Sequence, residues 1–334
     1  MEIISTPRKT RNRITKIAAT RAAVPAPPTL TAFEQRFADR FRETVGNCEK
    51  TFADPSFDLP MLPASAVRMM NLLQDASASP KKIAGALQAD AVLTAKFLRL
   101  ANSPFYAGTR KVESVQVAID RLGLATTRNV VMSISLNATI VRERRIGERA
   151  IGIWQHANNA ALAAQLLAGR LRLMPQTAYM MGLMHDIGKL PAWIMIHELS
   201  TQLPGVRPEV QSLLVEEGHV EVGNWLMTLW RMPPEVCVAA GAHQRVNSLQ
   251  DATEYIIKTR SDVSIGECSS IAALVGCVTI ADKALGALGQ SDEPCDLDLN
   301  KSELAAEIGL NEDLMINYLT QLPKFLQDNQ FKDI

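Results

Sequence analysis

The sequence has no net charge, few aromatic residues and no long apolar run. Thirty-five basic residues balance 35 acidic ones and 5% of residues are aromatic, so the whole molecule is not a basic surface for nucleic acid. The apolar stretch at residues 271–281 falls short of the roughly 20 residues needed to cross a bilayer. The first residues lack the apolar core of a secretory signal. The sequence therefore predicts a cytoplasmic protein without a membrane span.

Cysteine is also scarce and shows no pairing pattern. The chain has five cysteines and no Cys-x-x-Cys, which indicates free thiols in a reducing compartment rather than disulfides. A Gly-rich phosphate loop and a Gly-x-Ser-x-Gly elbow are both missing from the sequence, and these are common signs of nucleotide binding and of a serine nucleophile. The sequence therefore predicts no organic cofactor.

Strand patterns are nearly absent, since no β-branched run alternates over five or more residues,. Ser79, Asp90 and Ser114 precede apolar helical patterns and are predicted N-caps, and Gly123 is a predicted helix end,. Helical periodicity marks 126–141, 153–171, 176–187, 210–230, 234–243, 267–288, 302–308 and 312–328,. We predict an all-α, multi-helix bundle with an N-terminal helical subdomain and a C-terminal helical extension.

Charge is distributed unevenly along the chain. Residues 1–21 hold six basic residues against Glu2, a net of +5, whereas residues 291–334 have a net of −7. The basic residues at 8–21 suggest contact with nucleic acid, but they lack the interleaved aromatic residues of such sites. A solvated, disordered tail over residues 1–28 is therefore the preferred interpretation, and the acidic C-terminal segment is an alternative partner for it.

Two aspartates and four of the five histidines form a suggestive series. Each lies on or beside a predicted helix among apolar neighbours, where an unpaired polar group would be costly. The series consists of His156, His185, Asp186, His219, His243 and Asp282. A shared divalent metal would satisfy these groups together, and Mn, Fe, Zn, Ni or Co suits imidazole and carboxylate ligands. Hydrogen-bonded core histidines remain the alternative. Lys189, one helical turn after Asp186, would face the same space.

Two segments resemble the HDOD family, a branch of the HD phosphohydrolase superfamily. The first carries Leu-Pro-Met-Leu-Pro at 59–63, Ala-Asn-Ser at 101–103, Phe-Tyr at 105–106 and Leu-Gly at 122–123. The second carries Trp-Gln-His at 154–156 and Gly-Leu-Met-His-Asp-Ile-Gly-Lys at 182–189. The resemblance divides the chain into an amphipathic helix or linker (29–56), an HDOD domain (57–250) and an extension completing the HD-like core (251–334). Within the domain, 57–142 is the N-terminal half and 143–250 the HD-like half.

The resemblance also implies roles for the histidines and aspartates. The four metal-ligand positions of the HD superfamily match His156, His185, Asp186 and Asp282. His219 and His243 match the additional histidines of the related two-metal HD-GYP phosphodiesterases, implying a possible second metal site. Those enzymes have a second histidine where this chain has Gln244, and their Gly-Tyr-Pro signature is absent.

Three functions follow as expectations. The resemblance implies a bacterial signal-transduction or regulatory module that binds signalling proteins as a scaffold, without turnover. The ligand series supports the alternative of a metal-dependent phosphohydrolase acting on a nucleotide, a cyclic dinucleotide or another phosphate ester. In that case Asp186 and Lys189 are the predicted catalytic residues, with Lys189 holding the phosphate. The third is a nucleic-acid regulator acting through the basic tail.

Overall fold

The computed structural model describes residues 27–53, 62–75, 78–103, 106, 108, 110–290 and 302–329. All regular elements in these ranges are helices, as the sequence predicts. The first six are α1 (Ala32–Gly46), α2 (Cys48–Ala53), α3 (Ala64–Gln74), α4 (Pro80–Gln88), α5 (Ala91–Ala101) and α6 (Val115–Ile140). The predicted basic tail at 8–21, the motif residues 59–61 and 105, and the acidic stretch 291–301 lie outside the described residues.

The remaining helices build the second half of the molecule and its extension. They are α7 (Arg149–Arg170), α8 (Pro175–Met184), α9 (Lys189–Gln202), α10 (Pro208–Leu229), α11 (Pro234–Ala242), α12 (Leu249–Thr259), α13 (Ile265–Ala287), α14 (Glu303–Glu307) and α15 (Glu312–Asn329). Helix α8 packs along α7, and α13 packs against both. This group of three helices forms the frame to which α9–α12 are added.

The predicted helix ends in the N-terminal half are confirmed. Ser79, Asp90 and Ser114 each accept a hydrogen bond from the backbone N–H three residues later, which satisfies an otherwise unpaired donor,. Gly123 lies inside α6 with φ of 74°, a backbone conformation that glycine adopts without steric cost. The two helices predicted on either side of Gly123 therefore run on directly, with a kink between them.

In the second half of the molecule and its extension, two helices were not predicted. The predicted helix over 176–187 ends at Met184, the next four residues form a turn, and α9 then begins at Lys189. Helix α9 is apolar on most of its faces, so it has no amphipathic stripe to recognise. Helix α12 contains the β-branched pair Ile256–Ile257, but Ser248 and Asp251 form a capping box that starts a helix there,.

Apolar side chains form two separate cores. The large one draws residues from α3 to α15, whereas the small one lies between α1, α2, α9 and α10. Trp193, Trp225 and Trp230 are partly buried against the large core. The small core fixes α1 to the outside of the two helices that carry Lys189 and His219.

Among the described residues, one helix, α13, could cross a membrane if judged by its length and composition alone. Its apolar window has a mean hydropathy of 1.5, and 72% of that window is buried in the fold. The run at 271–281 lies within this longer helix. A core helix passes the same test, and the packing of α13 against α7 and α8 gives it that role here.

Candidate metal centre

The fold brings all six predicted ligand residues to one place. His156 lies on α7, His219 on α10 and Asp282 on α13. His185 and Asp186 occupy the turn after α8, and His243 follows the last residue of α11. Residues more than 120 positions apart in the sequence therefore share one site.

The first half of this centre gathers around one oxygen of Asp186. The Nε2 atom of His156 lies 3.2 Å from Asp186 Oδ2, 3.2 Å from Asp282 Oδ1 and 3.2 Å from His185 Nε2. His185 Nε2 is 3.5 Å from the same oxygen of Asp186. Two imidazoles and two carboxylates thus point their donor atoms at a common space.

The second half gathers around the other oxygen of Asp186. Its Oδ1 atom lies 3.2 Å from Nε2 of His219 and 3.1 Å from Nε2 of His243. These two nitrogen atoms are 3.3 Å apart. Asp186 is therefore shared between the two halves, with a pair of imidazoles beside each of its oxygens.

Backbone carbonyls orient three of the four imidazoles. The Nδ1 atom of His185 lies 2.7 Å from the carbonyl of Gly182, that of His219 lies 3.1 Å from Val215, and that of His243 lies 3.0 Å from Ala239. A carbonyl only accepts, so each Nδ1 carries the proton and donates it. In the neutral ring this leaves the Nε2 lone pair facing the centre, as metal-ligating histidines require.

This arrangement fits a bound metal ion. Neutral Nε2 lone pairs would face carboxylate oxygens across 3.1–3.2 Å, which is repulsive unless a cation lies between them. Apart from ion pairing, neither oxygen of Asp186 accepts a hydrogen bond of ordinary geometry, although both are buried. Two ligand groups, His156–His185–Asp186 and Asp186–His219–His243, have donor atoms within 4.8 Å of one another. Imidazole and carboxylate donors suit divalent transition metals.

Close backbone packing holds the turn that carries His185 and Asp186. A Cβ atom added to Gly188 would lie 1.9 Å from the carbonyl oxygen of His219. One added to Gly182 would lie 2.7 Å from the carbonyl oxygen of Ala160. Only glycine permits these close approaches. Gly182 brings the end of α8 against α7, and Gly188 brings the turn against α10.

Charges at the centre are divided unequally. Burial opposes the charge on His156, but Asp186 and Asp282 outweigh burial and raise its pKa to about 9. Burial lowers the pKa of His243 to about 4, and the neighbouring imidazoles of His185 and His219 add to that effect. Burial works against both carboxylates too. The pKa of Asp282 is nevertheless held well below the usual range by hydrogen bonds to His156 and His185, and that of Asp186 by the surrounding imidazoles and Lys189. At neutral pH both carboxylates are ionised and His243 is neutral.

Lys189 lies next to Asp186, as predicted from its helical spacing. Its ammonium group is 2.8 Å from Asp186 Oδ2 and 3.3 Å from Glu216 Oε1. Burial disfavours the charge on Lys189, but Asp186 and Glu216 raise its pKa above the ordinary value. The ammonium group is therefore ion-paired with two carboxylates, and its predicted phosphate-holding role stays a prediction.

Two residues beside the centre were not singled out from the sequence as parts of it. Glu216, one turn before His219, accepts a hydrogen bond of 3.2 Å from the side chain of Gln244. Both positions carried a signal, since Glu216 follows the helical spacing of His219 and Gln244 adjoins His243,. Their pairing depends on how α10 packs against α11, and no local pattern shows that.

One edge of the centre is open. The side chains of His156, Asp282 and Lys189 are 13%, 14% and 11% exposed, and that of Glu216 is 39% exposed. The remaining four ligand side chains are 0–2% exposed. A ligand from solvent would therefore approach past these partly exposed residues.

Similar folds occur in solved structures. An HDOD domain protein of unknown function from Geobacter sulfurreducens has a TM-score of 0.59 at 21% identity, covering 87% of this chain and 97% of that one. A protein from Shewanella amazonensis SB2B, provisionally named a metal-dependent phosphohydrolase, has a TM-score of 0.59 at 18% identity, covering 88% and 100%. A provisionally named signal transduction protein from Marinobacter aquaeolei VT8 has 0.60 at 20% identity, covering 91% and 66%. At these identities the similarity shows the fold alone.

Sequence comparison gives a distant relative and a family. An uncharacterized protein of Treponema pallidum (strain Nichols) is 20% identical over 218 residues, which are 63% of this chain and 42% of that protein. The chain thus spans less than half the length of this curated relative. The HDOD domain profile matches residues 59–246, more than half of the chain and within the predicted span 57–250. The chain therefore belongs to the HDOD domain family.

Proposed function

We propose that this protein is a metal-dependent phosphohydrolase acting on a phosphate ester. One observation carries the proposal: each oxygen of the buried Asp186 carboxylate faces its own pair of imidazole Nε2 atoms. A carboxylate shared in this way is the arrangement expected of a two-metal hydrolytic centre. The provisional name of the Shewanella protein with the same fold agrees with this proposal.

Each half would hold one divalent ion of Mn, Fe, Zn, Ni or Co. The first ion would be held by His156, His185 and Asp282 together with Asp186, and the second by Asp186 with His219 and His243. A bound divalent ion lowers the pKa of a coordinated water and offsets the negative charge of a phosphate.

The surrounding residues prepare the centre for that chemistry. Lys189 keeps Asp186 ionised by ion pairing with its Oδ2 atom, and its ammonium group lies at the open edge where a phosphate ester enters. The three backbone carbonyls fix their imidazoles before any ligand arrives, so little reorganisation is needed on binding. Burial of the other ligand side chains restricts water around Asp186.

The test compares metal content with hydrolysis. Untagged wild-type protein, purified without chelator and supplied with Mn²⁺, should bind up to two equivalents by plasma mass spectrometry and hydrolyse members of a phosphate-ester panel. Asp186→Asn, which keeps the shape of the side chain but removes its charge, should lose both properties. His197→Ala is the matched control, because His197 is an exposed histidine on α9 away from the centre. A metal-free, inactive wild type after loading with Mn, Fe, Zn, Ni or Co would refute the proposal.

A second candidate is a signalling module in the cytoplasm that binds a protein partner and performs no turnover. The ion pairing of Lys189 with two carboxylates and the deep burial of four ligand side chains favour it, because both limit access for a substrate. On this proposal a metal would stabilise the fold, and partners would bind elsewhere on the surface. Binding of metal without hydrolysis of any ester in the panel would favour this candidate.

Nucleic-acid binding through residues 8–21, the third expectation from the sequence, would show itself as an affinity that falls steeply with salt concentration.

A further inference from the structure

The segment Thr29–Ala53, here called the strap, packs on the outside of α9 and α10. Phe37, Phe41 and Val45 of α1 are at most 5% exposed. They belong to the small core, which is separate from the core that holds the rest of the molecule. In α2, the ring of Phe52 stacks on Trp225 of α10 with centroids 4.7 Å apart. The strap therefore contacts the two helices that carry Lys189 and His219.

Ion pairs fix the strap at two points along α10. The guanidinium group of Arg207, at the start of α10, binds both carboxylate oxygens of Glu34 at 2.7 and 2.9 Å and the carbonyl of Thr29 at 2.9 Å. Further along, Arg42 donates to Glu217 at 2.8 and 3.2 Å. A two-point attachment of this kind sets the strap's register along the helix.

The strap also touches α10 directly beside a predicted metal ligand. A Cβ atom added to Gly218 would lie 2.8 Å from the ring of Phe41 and 3.1 Å from Val45, so these side chains rest on the backbone next to His219. Val215 belongs to the same small core, and its carbonyl accepts the Nδ1 proton of His219. The strap thus contacts the residue before His219 and shares the small core with the residue that orients its imidazole.

The ligands that belong to the first half alone lie on elements that do not share the small core. His156 and Asp282 come from α7 and α13, and His185 from the turn after α8, all of which pack in the large core. None of these helices contributes a side chain to the small core within the described residues. Loosening the strap should therefore displace the ligands of the second half more than those of the first. Helix α9 also carries Lys189, which is not a ligand but pairs with Asp186 Oδ2.

We propose that the strap positions His219, so that docking of the strap sets the metal affinity of the Asp186–His219–His243 half. The inference rests on the proposed metal centre and adds a control element to it. Release of α1 would remove the packing on the outer face of α10 and let His219 move away from Asp186.

The test removes one strap side chain and measures each metal equivalent separately. In Phe41→Ala, Mn²⁺ titration should show at least tenfold weaker binding of the equivalent that is lost in His219→Ala, with the other equivalent changed less than twofold. Amide hydrogen exchange should accelerate in 32–46 and 208–229. Phe41→Leu should restore most of the affinity. Phe97→Ala is the matched control, because Phe97 is a phenylalanine in α5 buried to the same degree.

Each alternative outcome is decisive. Unchanged binding of both equivalents in Phe41→Ala, with faster exchange in 32–46, would overturn the inference. So would equal weakening in Phe97→Ala, since general loosening would then explain it. If the wild type binds no Mn²⁺, the proposed function fails. The positioning role of the strap is then judged by amide hydrogen exchange in α10, and unchanged exchange there in Phe41→Ala would overturn it. If Phe41→Ala does not fold, Arg207→Gln, which removes only the Glu34 and Thr29 contacts, takes its place.

Discussion

Asp186 is the side chain on which both halves of the centre depend. Its two oxygens each face a pair of imidazoles, and Lys189 pairs with one of them. Burying such a carboxylate among neutral groups would be costly. Lys189 offsets part of this charge, and the imidazole nitrogen atoms beside both oxygens form two groups that could hold a metal ion.

The identities of the ligands could be predicted from the sequence, but their surroundings could not. Histidine and aspartate beside apolar helical residues can be recognised in the sequence alone. Their resemblance to the ligand positions of the HD superfamily supports the prediction that they bind a metal. The carbonyls of Gly182, Val215 and Ala239 that orient the imidazoles belong to residues with no chemical signature. Their role depends on ring orientation, which only the packed structure shows.

Gly188 offers a test of the packing that holds the Asp186 turn. Gly188→Ala should lower the free energy of unfolding by about 2 kcal/mol or more, because its methyl group would meet the His219 carbonyl and the backbone must shift,. Denaturant unfolding measures the change.

Gly85→Ala is the control for this substitution. Gly85 lies in α4, and an added Cβ would meet nothing within 4 Å, so alanine should be neutral or stabilise the helix by up to about 1 kcal/mol. Equal changes in the free energy of unfolding at the two positions would show that the close approach at Gly188 does not make alanine destabilising there.

At the scale of elements, one of the missed helices, α9, lacks a two-sided pattern. Helix α9 is buried against the large core on one side and against the small core on another, so apolar residues occupy most of its surface. Short apolar segments of this kind do not distinguish helix from strand by periodicity. The amphipathic stripe of α1, by contrast, is visible in the sequence because one face of that helix meets solvent.

Docking of the strap should depend on pH through Glu34. Arg207 and the cap residue Thr31 lower the pKa of Glu34 from its ordinary 4.5 to about 2. A carboxyl group with a lowered pKa contributes stability above its ordinary pKa, and this is lost as pH falls towards the folded value. Strap docking should therefore weaken between about pH 4.5 and 2.

Fluorescence of Trp225, which stacks on Phe52 of the strap, follows this change along the acid titration. Glu34→Gln removes the titrating group, so its strap should be weaker at neutral pH and should lack this part of the acid dependence. An identical acid profile in wild type and Glu34→Gln would show that the Glu34–Arg207 pair does not hold the strap.

At the scale of the whole molecule, the centre draws its ligands from helices spread along the second half of the chain and its extension. Its ligands come from α7, α10 and α13 and from the residues that follow α8 and α11. Helix α13 lies beyond the matched family residues 59–246, yet Asp282 is 3.2 Å from His156. The C-terminal extension therefore supplies one of the six predicted ligand residues.

A metal that binds only the folded protein must stabilise it by mass action, about 2.7 kcal/mol when the free ion is at 100 times its Kd. Because a bound ion joins helices from across the chain, its removal should act on global unfolding rather than on one loop. For domains of this order of size, each kcal/mol moves Tm by roughly 2–4 °C. Excess EDTA should thus lower the Tm of Mn²⁺-loaded wild type by several degrees in scanning calorimetry, with one cooperative transition. The Tm of Asp186→Asn should not respond to Mn²⁺ or EDTA. A wild type whose Tm is also unchanged by both would mean that the six side chains hold no ion. The buried Asp186 would then have to be stabilised by protonated His156 and Lys189 alone.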